Sequence, residues 1–429
     1  MMSVGTEMPV GGNQRATQPL VGAKRSRAAV LFHRLGPYHF ARLRAAGRLL
    51  PIVAIESSGV DETYAWDLVS GADQFERVTL FERADAQSLQ AAKVVNRVCS
   101  ALARVQPAVL VIPGWSDSVA LGALQWSVQN RVPSIIMSES TAWDEKRAWW
   151  REWIKRRVVA LCSAALVGGS PHADYMRQLG MARDMVFWGY DAVDNDYFSA
   201  KAEEVRSQRS EVRGQFGLPE RYFLASARFV KKKNLPRLIQ AYARYRKLAQ
   251  KQEVRSPTCD LWSLVLLGDG PLKPDLCSLI SDLSLHDSVL LPGFKQYADL
   301  PTYYALAGAF VHASTTEQWG LVVNEALASG LPALVSNRCG CAQDLVREGV
   351  NGFTFDPCNV EELAALMLRI SAFNFPLAAF GAEGQRLIFS WGPDRFAQGL
   401  KDAVEMALKS ARPRAGLMDH LLLRFLLLR

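Results

Sequence analysis

Two glutamates flank a glycine in the segment Glu317-Gln-Trp-Gly-Leu-Val-Val-Asn-Glu325. The first lies just after a predicted strand at residues 309–314, and the second lies one turn into a predicted helix at residues 321–329. The unpaired N–H groups and positive potential at a helix start favour an anionic group such as a diphosphate. Carboxylates accept hydrogen bonds from hydroxyls, such as those of a sugar or a ribose. The spacing therefore suggests a nucleotide-sugar site. A capping acid beside a solvated helical glutamate is the alternative for two acids taken alone.

Further candidate residues follow other predicted strands of the same half of the chain. Arg228 and Lys233 are suited to neutralising a diphosphate, the arginine as a fork and the lysine as a point charge. Gly268 lies in a Gly-Asp-Gly-Pro turn that lets the backbone approach a flat ligand, and Phe294 lies where it would border a nucleobase. Each feature alone is ordinary turn chemistry. Their shared position at strand ends predicts one site along one edge of a sheet.

The elements that must position these residues alternate between short apolar strands and longer amphipathic helices. The 429-residue chain has the composition of a globular protein, with 49% hydrophobic and 21% charged residues. One strand–helix series runs from residue 27 to 190, and a second begins after an Asp/Asn-rich and then charged stretch at 191–213. Such alternation predicts parallel sheets covered on both faces. The expected fold class is α/β, with two Rossmann-like domains facing each other across a cleft.

The predicted boundaries divide the chain into four parts, with one crossover. They are a flexible leader at 1–26, a first Rossmann-like domain at 27–190, a second at 196–388, and an apolar and basic tail at 413–429. A helix at 393–410 follows a Trp-Gly-Pro break and is expected to cross back and complete the first domain. The leader has no continuous apolar core and is not expected to be a signal peptide.

The second half resembles the donor-binding domain of the retaining GT-B glycosyltransferases of family 4, the glycosyl transferases group 1. The resemblance covers residues 222–355. Its motifs read Ala227-Arg228 to Lys233-Asn234, Gly268 to Pro271, Gly293-Phe294, Glu317 to Glu325, and Ala328-Ser-Gly330-Leu-Pro332.

This resemblance implies a role for each matching residue. Arg228 and Lys233 would hold the pyrophosphate and stabilise the leaving nucleoside diphosphate, and Glu317 would bind hydroxyls of the transferred sugar, so these three are the expected catalytic residues. Glu325 would hold the ribose hydroxyls. Backbone N–H groups for sugar or phosphate oxygens would come from Gly320, Leu321 and Val322.

The first domain carries a weaker match in the segment His33-Arg-Leu-Gly36-Pro-Tyr-His39. Family members have a glycine-rich loop here, under the donor phosphates and beside the acceptor, whereas this chain has one glycine followed by proline. Gly36 is expected to contact the donor, and His33, His39 and Glu139 are candidates for the acceptor side. A structural or surface role is the alternative for each histidine.

The implied activity is transfer of a hexosyl unit from a nucleoside diphosphate sugar to a hydroxyl of a glycan or lipid-linked glycan, with retention, in cell-surface polysaccharide biosynthesis. No Asp-x-Asp metal motif stands in a matching place, so neither a metal nor a cofactor is expected. A GT-B sugar epimerase and a catalytically silent nucleotide-sugar sensor are the alternatives, because a fold does not fix a function. The donor base and sugar, the acceptor, the linkage and the oligomeric state stay open.

The net charge, the cysteines and the apolar segments indicate which partners and which compartment to expect. The net charge of +8 is compatible with nucleic acid, so a nucleic-acid-binding protein is a further, less favoured alternative. No nucleic-acid motif or long basic stripe occurs, and no nucleic-acid partner is expected. Seven scattered cysteines fit reduced thiols in a cytoplasm. A basic helix with Trp149, Trp150 and Trp153 and the apolar tail are compatible with peripheral contact at the inner face of the plasma membrane. A buried tryptophan face and a packed or disordered tail are the alternatives.

Overall fold

A computed structural model describes residues 27–59, 74–82, 89–253 and 261–428 of the chain. The predicted leader at 1–26 lies outside the described residues. Two parallel β-sheets, each covered by helices on both faces, account for most of the structure, which confirms the α/β fold class with two Rossmann-like domains. No helix in the described ranges is both long and apolar enough to cross a bilayer.

The first sheet has seven parallel strands in the order β3-β2-β1-β4-β5-β6-β7. Its strands are Ala28–Phe32 (β1), Ile52–Ser58 (β2), Glu76–Phe81 (β3), Val109–Pro113 (β4), Ser134–Ser138 (β5), Ala164–Val167 (β6) and Val186–Trp188 (β7). The helices between them are Pro37–Gly47 (α1), Ala91–Val105 (α2), Ser118–Asn130 (α3), Trp149–Val159 (α4) and Ser170–Gln178 (α5). The central strands are buried apolar runs, as expected for a sheet covered on both faces.

The second sheet has six parallel strands in the order β10-β9-β8-β11-β12-β13. Its strands are Tyr222–Ser226 (β8), Ser263–Leu267 (β9), Val289–Gly293 (β10), Ala309–His312 (β11), Ala333–Ser336 (β12) and Gly352–Phe355 (β13). The helices that precede and cover it are Asn195–Ser207 (α6), Arg209–Phe216 (α7), Leu235–Glu253 (α8), Lys273–Asp282 (α9), Leu300–Leu306 (α10), Leu321–Ala328 (α11), Ala342–Leu345 (α12), Val360–Ser371 (α13) and Leu377–Ile388 (α14).

Two C-terminal helices return to the first domain. Helix α15, Pro393–Lys409, packs its Phe396, Leu400 and Val404 into the core of the first sheet, beside α1. Helix α16, Leu417–Leu427, continues the chain along α3 and α4. The tail is therefore a packed helix on the first domain, one of the arrangements that its sequence left open.

Some elements differ from the sequence-based expectation at their ends. The basic helix that carries the three tryptophans begins only at Trp149, because Asp144 accepts a hydrogen bond from the Thr141 N–H and holds a turn before it. The strand expected to end between residues 312 and 314 ends at His312, which leaves Ser314 in the loop that carries Glu317.

The carboxyl ends of both sheets face the same crevice. The loops after β1 and β6 of the first sheet contact the loops and helices after β11 and β12 of the second. Parallel α/β sheets bind ligands at this edge. The site residues can therefore be considered as one cluster between the two domains.

Candidate active site

The loop that carries Glu317 is fixed to the loop that follows β12. The Glu317 N–H donates to the carbonyl of Arg338 (3.1 Å), and the Gly340 N–H donates to the carbonyl of Glu317 (3.0 Å). A Cβ at Gly340 would stand 1.8 Å from the carbonyl oxygen of Gln318, so only glycine permits this approach. The backbone of the acidic segment is thus held before any ligand binds.

The Glu317 carboxylate lies among cations and hydroxyls. It contacts the Lys233 ammonium directly, with Lys232 at 3.8 Å, His312 Nε2 at 3.4 Å and the Ser314 hydroxyl donating at 3.1 Å. Burial opposes ionisation, yet the hydrogen bond to His312 and the lysine charges together hold the pKa of Glu317 well below its usual range. Glu317 is therefore an ionised, oriented acceptor at neutral pH.

The basic loop beside it is anchored by Asn234 rather than by its lysines. Asn234 adopts a left-handed backbone (φ 59°), and its amide donates to the carbonyls of Ala313 (3.0 Å) and Pro357 (2.7 Å). The Thr315 N–H donates to the Lys232 carbonyl at 2.9 Å. These bonds bring the basic and acidic loops together, so Lys233 and Glu317 meet although 84 positions separate them.

Arg228 and Gly268 follow the neighbouring strands β8 and β9. The Phe229 N–H donates to the Asp269 carbonyl (2.8 Å), which ties the loop of Arg228 to the Gly-Asp-Gly turn. A Cβ at Gly268 would come within 1.9 Å of the Ala227 carbonyl oxygen. Arg228 is partly exposed, and Phe294 after β10 is exposed. Both predicted donor contacts thus lie at the carboxyl edge of the sheet, with Phe294 free to pack against a ligand ring.

Helix α11 starts at the glycine between the two glutamates. Gly320 has φ +105°, a conformation that glycine adopts without strain, and it turns the acidic loop into the helix. The first N–H groups of a helix have no intrahelical acceptor, so those at the Gly320–Val322 start, which no side chain caps, lie at the positive end of the helix dipole.

Glu325 meets two tyrosines, one from each domain. The Tyr304 hydroxyl donates to Oε2 at 2.6 Å, and the Tyr38 hydroxyl, from the start of α1 in the first domain, donates to Oε1. Glu325 is fully buried, and burial raises its pKa to about 7 despite both hydrogen bonds. The carboxylate predicted to hold a ribose is therefore bridged to the opposite domain by a tyrosine hydroxyl.

Two further contacts join the domains beside the acidic loop. The Ser170 N–H and hydroxyl donate to the Asp344 carboxylate at 2.8 and 2.6 Å. His172 accepts from the Gly169 N–H through Nδ1, so its Nε2–H donates to the Gln318 carbonyl at 2.8 Å. These contacts hold the loop of Glu317 against the N-terminus of α5.

A buried carboxylate, that of Glu56, holds the loop after β1 in place. Glu56 accepts from the Leu35 N–H (3.1 Å) and pairs with Arg77 (2.7 Å). The Gly36 N–H donates to Nδ1 of His39 (3.1 Å), and burial, with the charge of Arg42, lowers the pKa of His39 to about 3. His39 thus caps α1 as a neutral ring, which is the structural alternative allowed by the sequence.

The remaining first-domain candidates lie at the ends of β1 and β5. The carbonyl of His33 accepts from the Ser57 hydroxyl (3.1 Å), which fixes its backbone while the ring stays partly exposed. Glu139 is partly exposed and lies beside the buried Asp191. Burial and the Glu139 carboxyl raise the pKa of Asp191 well above its usual value. The two carboxyls form an acid pair on the first-domain side of the cleft.

Several residues of this site were not singled out by the sequence. Tyr38 lies inside the predicted donor loop, but nothing local indicates that it reaches a residue 287 positions away. His312 ends an apolar strand, and a histidine at that position, five residues before Glu317, is a sequence signal for a site residue. Asp344, Ser170 and Asp191 read locally as turn and cap residues.

No group of three His, Cys, Asp or Glu side chains within the described ranges is arranged to hold a metal ion. The pair Cys339 and Cys341 is buried, and burial raises the pKa of both thiols. The two cysteines are therefore packed neutral groups of the loop that supports Glu317.

Comparison with known proteins finds a family model that matches most of the second domain. Residues 208–384 match the family model of the glycosyl transferases group 1. Alpha-D-kanosaminyltransferase of Streptomyces kanamyceticus is 26% identical over 220 residues, 51% of this chain and 54% of that protein. Alpha-monoglucosyldiacylglycerol synthase of Acholeplasma laidlawii is 31% identical over 173 residues, 40% of each chain. The chain therefore spans about half, or less, of the length of these relatives.

Solved structures share the whole fold. Anabaena Alr3699/HepE, in complex with UDP and glucose, superposes with a TM-score of 0.65 at 18% identity, over 87% of this chain and 98% of that one. Sucrose-phosphate synthase from Thermosynechococcus elongatus superposes with a TM-score of 0.67 at 17% identity, over 88% and 97%. The two-domain architecture is thus GT-B, and most of the second domain matches the family model of the glycosyl transferases group 1.

Proposed function

We propose that this protein is a metal-independent, retaining glycosyltransferase that moves a hexosyl unit from a nucleoside diphosphate sugar to a hydroxyl of a glycan or lipid-linked glycan in cell-surface polysaccharide biosynthesis. The observation that carries the proposal is the Glu317–Lys233 pair at the start of α11. The ionised carboxylate suits a hydrogen bond from a sugar hydroxyl. The ammonium and the helix start suit the negative charge of a leaving phosphate. The UDP bound by the HepE neighbour supports a nucleoside diphosphate donor.

In the proposed reaction the bond between the sugar C1 and the donor phosphate oxygen breaks as the bond from C1 to the acceptor oxygen forms. Negative charge develops on the departing diphosphate, and Arg228, Lys233 and the N–H groups at the start of α11 would stabilise it. The acceptor hydroxyl proton passes to an oxygen of the departing phosphate on the same face of the sugar. Such a front-face path needs no side-chain nucleophile.

The other residues would position the two substrates. Glu317 would accept hydrogen bonds from sugar hydroxyls, and Glu325 would accept those of the ribose. Gly268 and Phe294 would border the nucleobase, and Gly36 would lie under the phosphates. On the acceptor side we assign Glu139, with its neighbour Asp191, ahead of His39, whose ring nitrogen is used in capping α1.

Two variants and a ligand panel test this assignment. Glu317→Gln keeps the shape of the side chain but removes its charge, so sugar transfer should fall by at least about a hundredfold while the fold survives. The matched control is Glu361→Gln, at an exposed glutamate on α13 that pairs with Arg244. Transfer by Glu317→Gln at the wild-type rate would remove Glu317 from the mechanism.

A thermal-shift panel of nucleoside diphosphates separates the competing functions. Stabilisation by UDP or GDP that is lost in the double variant Arg228→Ala, Lys233→Ala supports the phosphate assignment. Stabilisation by oligonucleotides alone would contradict it. Product formation from donor and acceptor then distinguishes a transferase from a silent sensor, and a change of sugar configuration without transfer would indicate an epimerase.

A further inference from the structure

The tail helix α16 is attached to the first domain by one side only. Its Asp419 accepts a hydrogen bond from Arg157 of α4 (Nε to Oδ1, 2.9 Å) and another from the Gly416 N–H (2.9 Å). Leu422 and Leu423 are buried, and Leu423 belongs to the core that includes α3. These contacts fix the rotation of the helix about its axis, and so decide which residues face solvent.

The solvent side of α16 is apolar. Leu417 and Phe425 are 78% and 61% exposed, and Met418 and Leu421 are exposed between them. Residues 418, 421 and 425 follow helical spacing, so they form one stripe along the helix. A contiguous exposed apolar stripe of this kind is rare on a protein surface that has no partner.

Helix α4 presents a second apolar group beside it. Trp149 is 83% exposed, and Trp150 and Trp153 are exposed as well. Trp153 lies one turn before Arg157, which binds the first turn of α16 through Asp419. The Arg157–Asp419 contact therefore joins the helix of the tryptophans to the helix of the stripe, and we refer to the two exposed apolar groups together as the α4–α16 face: Trp149, Trp150, Trp153, Leu417, Met418, Leu421 and Phe425.

The exposed charges around the α4–α16 face are mostly basic. Within residues 143–159 and 411–428, the exposed basic side chains are Lys146, Arg151, Arg156, Arg412, Arg414 and Arg424. Glu145 is the one exposed acid in these two ranges, and it lies 3.9 Å from Arg151. Cations surrounding exposed tryptophan, leucine and phenylalanine match the anionic headgroups and acyl boundary of a lipid surface.

We propose that the α4–α16 face docks the protein on an anionic phospholipid bilayer. The loop of residues 139–148 leads from the carboxyl end of β5, which borders the cleft, to Trp149 at the start of α4. The tryptophan end of the face consequently lies at the cleft edge of the first domain. Docking there would bring the cleft next to the bilayer surface, where a lipid-linked acceptor would be presented.

Vesicle sedimentation with the full chain tests this surface, and it does not depend on the transferase chemistry because no donor is needed. The wild-type chain should bind phosphatidylcholine vesicles that contain phosphatidylglycerol, and bind much less to phosphatidylcholine alone. The triple variant Trp149→Ser, Trp150→Ser, Trp153→Ser and the double variant Leu421→Ser, Phe425→Ser should each lose this binding. Phe373→Ser, at a residue 76% exposed on the second domain, is the matched control and should bind as the wild type does.

A variant with fewer basic residues measures the electrostatic contribution to vesicle binding. Replacing Arg151, Arg156 and Arg424 by glutamine should weaken vesicle binding about a hundredfold, since each basic residue near an anionic surface contributes a factor of about five. The matched control replaces the exposed Arg386 of α14 by glutamine. Added salt should weaken the wild-type interaction as well.

Three results would overturn the proposal. One is the absence of wild-type binding to anionic vesicles at low salt, and another is equal binding by the wild type and the aromatic variants. The third is a wild-type dimer, seen by light scattering, that becomes monomeric when the tryptophans are replaced, because the face would then be an interface between copies. Quenching of wild-type tryptophan fluorescence by brominated lipids checks the contact directly, even where a variant folds poorly.

Discussion

The hydrogen bond between Tyr38 and Glu325 leads to a specific prediction about donor binding. The Tyr38 hydroxyl occupies one oxygen of the carboxylate that we assign to the ribose, and it does so from the opposite domain. A ribose that binds Glu325 must therefore compete with Tyr38. Tyr38→Phe removes the hydroxyl but keeps the ring, which packs edge-on against Tyr297 at 5.6 Å.

The size of the effect follows from the hydrogen bond that is removed. Hydrogen bonds to ionisable groups contribute about 1.5–3 kcal/mol, and about 1.4 kcal/mol corresponds to a factor of ten in affinity. Tyr38→Phe should thus bind the preferred nucleoside diphosphate roughly 10- to 100-fold more tightly than the wild type. Titration calorimetry measures the Kd directly, and a dideoxy nucleotide, which has no ribose hydroxyls for Glu325, should show a much smaller gain.

Tyr304→Phe is the matched control for this experiment. It removes a hydroxyl that donates to the same carboxylate, but Tyr304 belongs to the same domain as Glu325 and orients its side chain. Its loss should leave nucleotide affinity unchanged or weaken it. A Kd for Tyr38→Phe within twofold of the wild type, or equal tightening by both variants, would refute competition at Glu325.

Further predictions concern the support of the two acids. Gly340→Ala should displace the Gln318 carbonyl, which lies 1.8 Å from the added Cβ, and should abolish transfer while the melting temperature falls only modestly. Asp344→Asn should weaken the contact to Ser170 and open the cleft, seen as a larger radius of gyration in X-ray scattering. Burial raises the pKa of Glu325 to about 7, above the unfolded value, so the folded state retains a proton that the unfolded state has lost. Wild-type stability should therefore drop by about 3 kcal/mol relative to Glu325→Gln as pH rises from about 4.5 to 7, and denaturant unfolding measures it.

The extent to which a strand is buried explains whether its sequence predicted it. Central strands such as β1 and β4 are covered on both faces and appear as continuous apolar runs, so their pattern alone identified them. The strands that were not predicted, β3, β7 and β13, are all edge strands. Strands β3 and β7 are partly exposed, so their sequences resemble loops, whereas β13 is mostly buried but only four residues long.

The same distinction holds for the site. Lys233 and Glu317 were predicted together because each follows a strand of one sheet, and the carboxyl ends of parallel strands share an edge. Contacts between domains have no such local rule. The pairing of Tyr38 with Glu325 and of Ser170 with Asp344 depends on how two independently folded sheets meet, which periodicity and motif spacing do not encode.

The two glutamates also show how one motif produces two electrostatic environments. Glu317 lies in the loop before α11, where lysines and His312 keep it ionised, whereas Glu325 lies inside the helix with hydroxyl partners alone. A carboxylate that must orient a sugar near developing charge gains from fixed ionisation. Glu325, which we propose exchanges a tyrosine hydroxyl for ribose hydroxyls, has neutral donors as its partners, and no cation among the described residues offsets the burial that raises its pKa to about 7. Since the Tyr38 bond crosses the cleft, the proposed exchange at Glu325 would also release a contact between the domains, and would so couple donor binding to their separation.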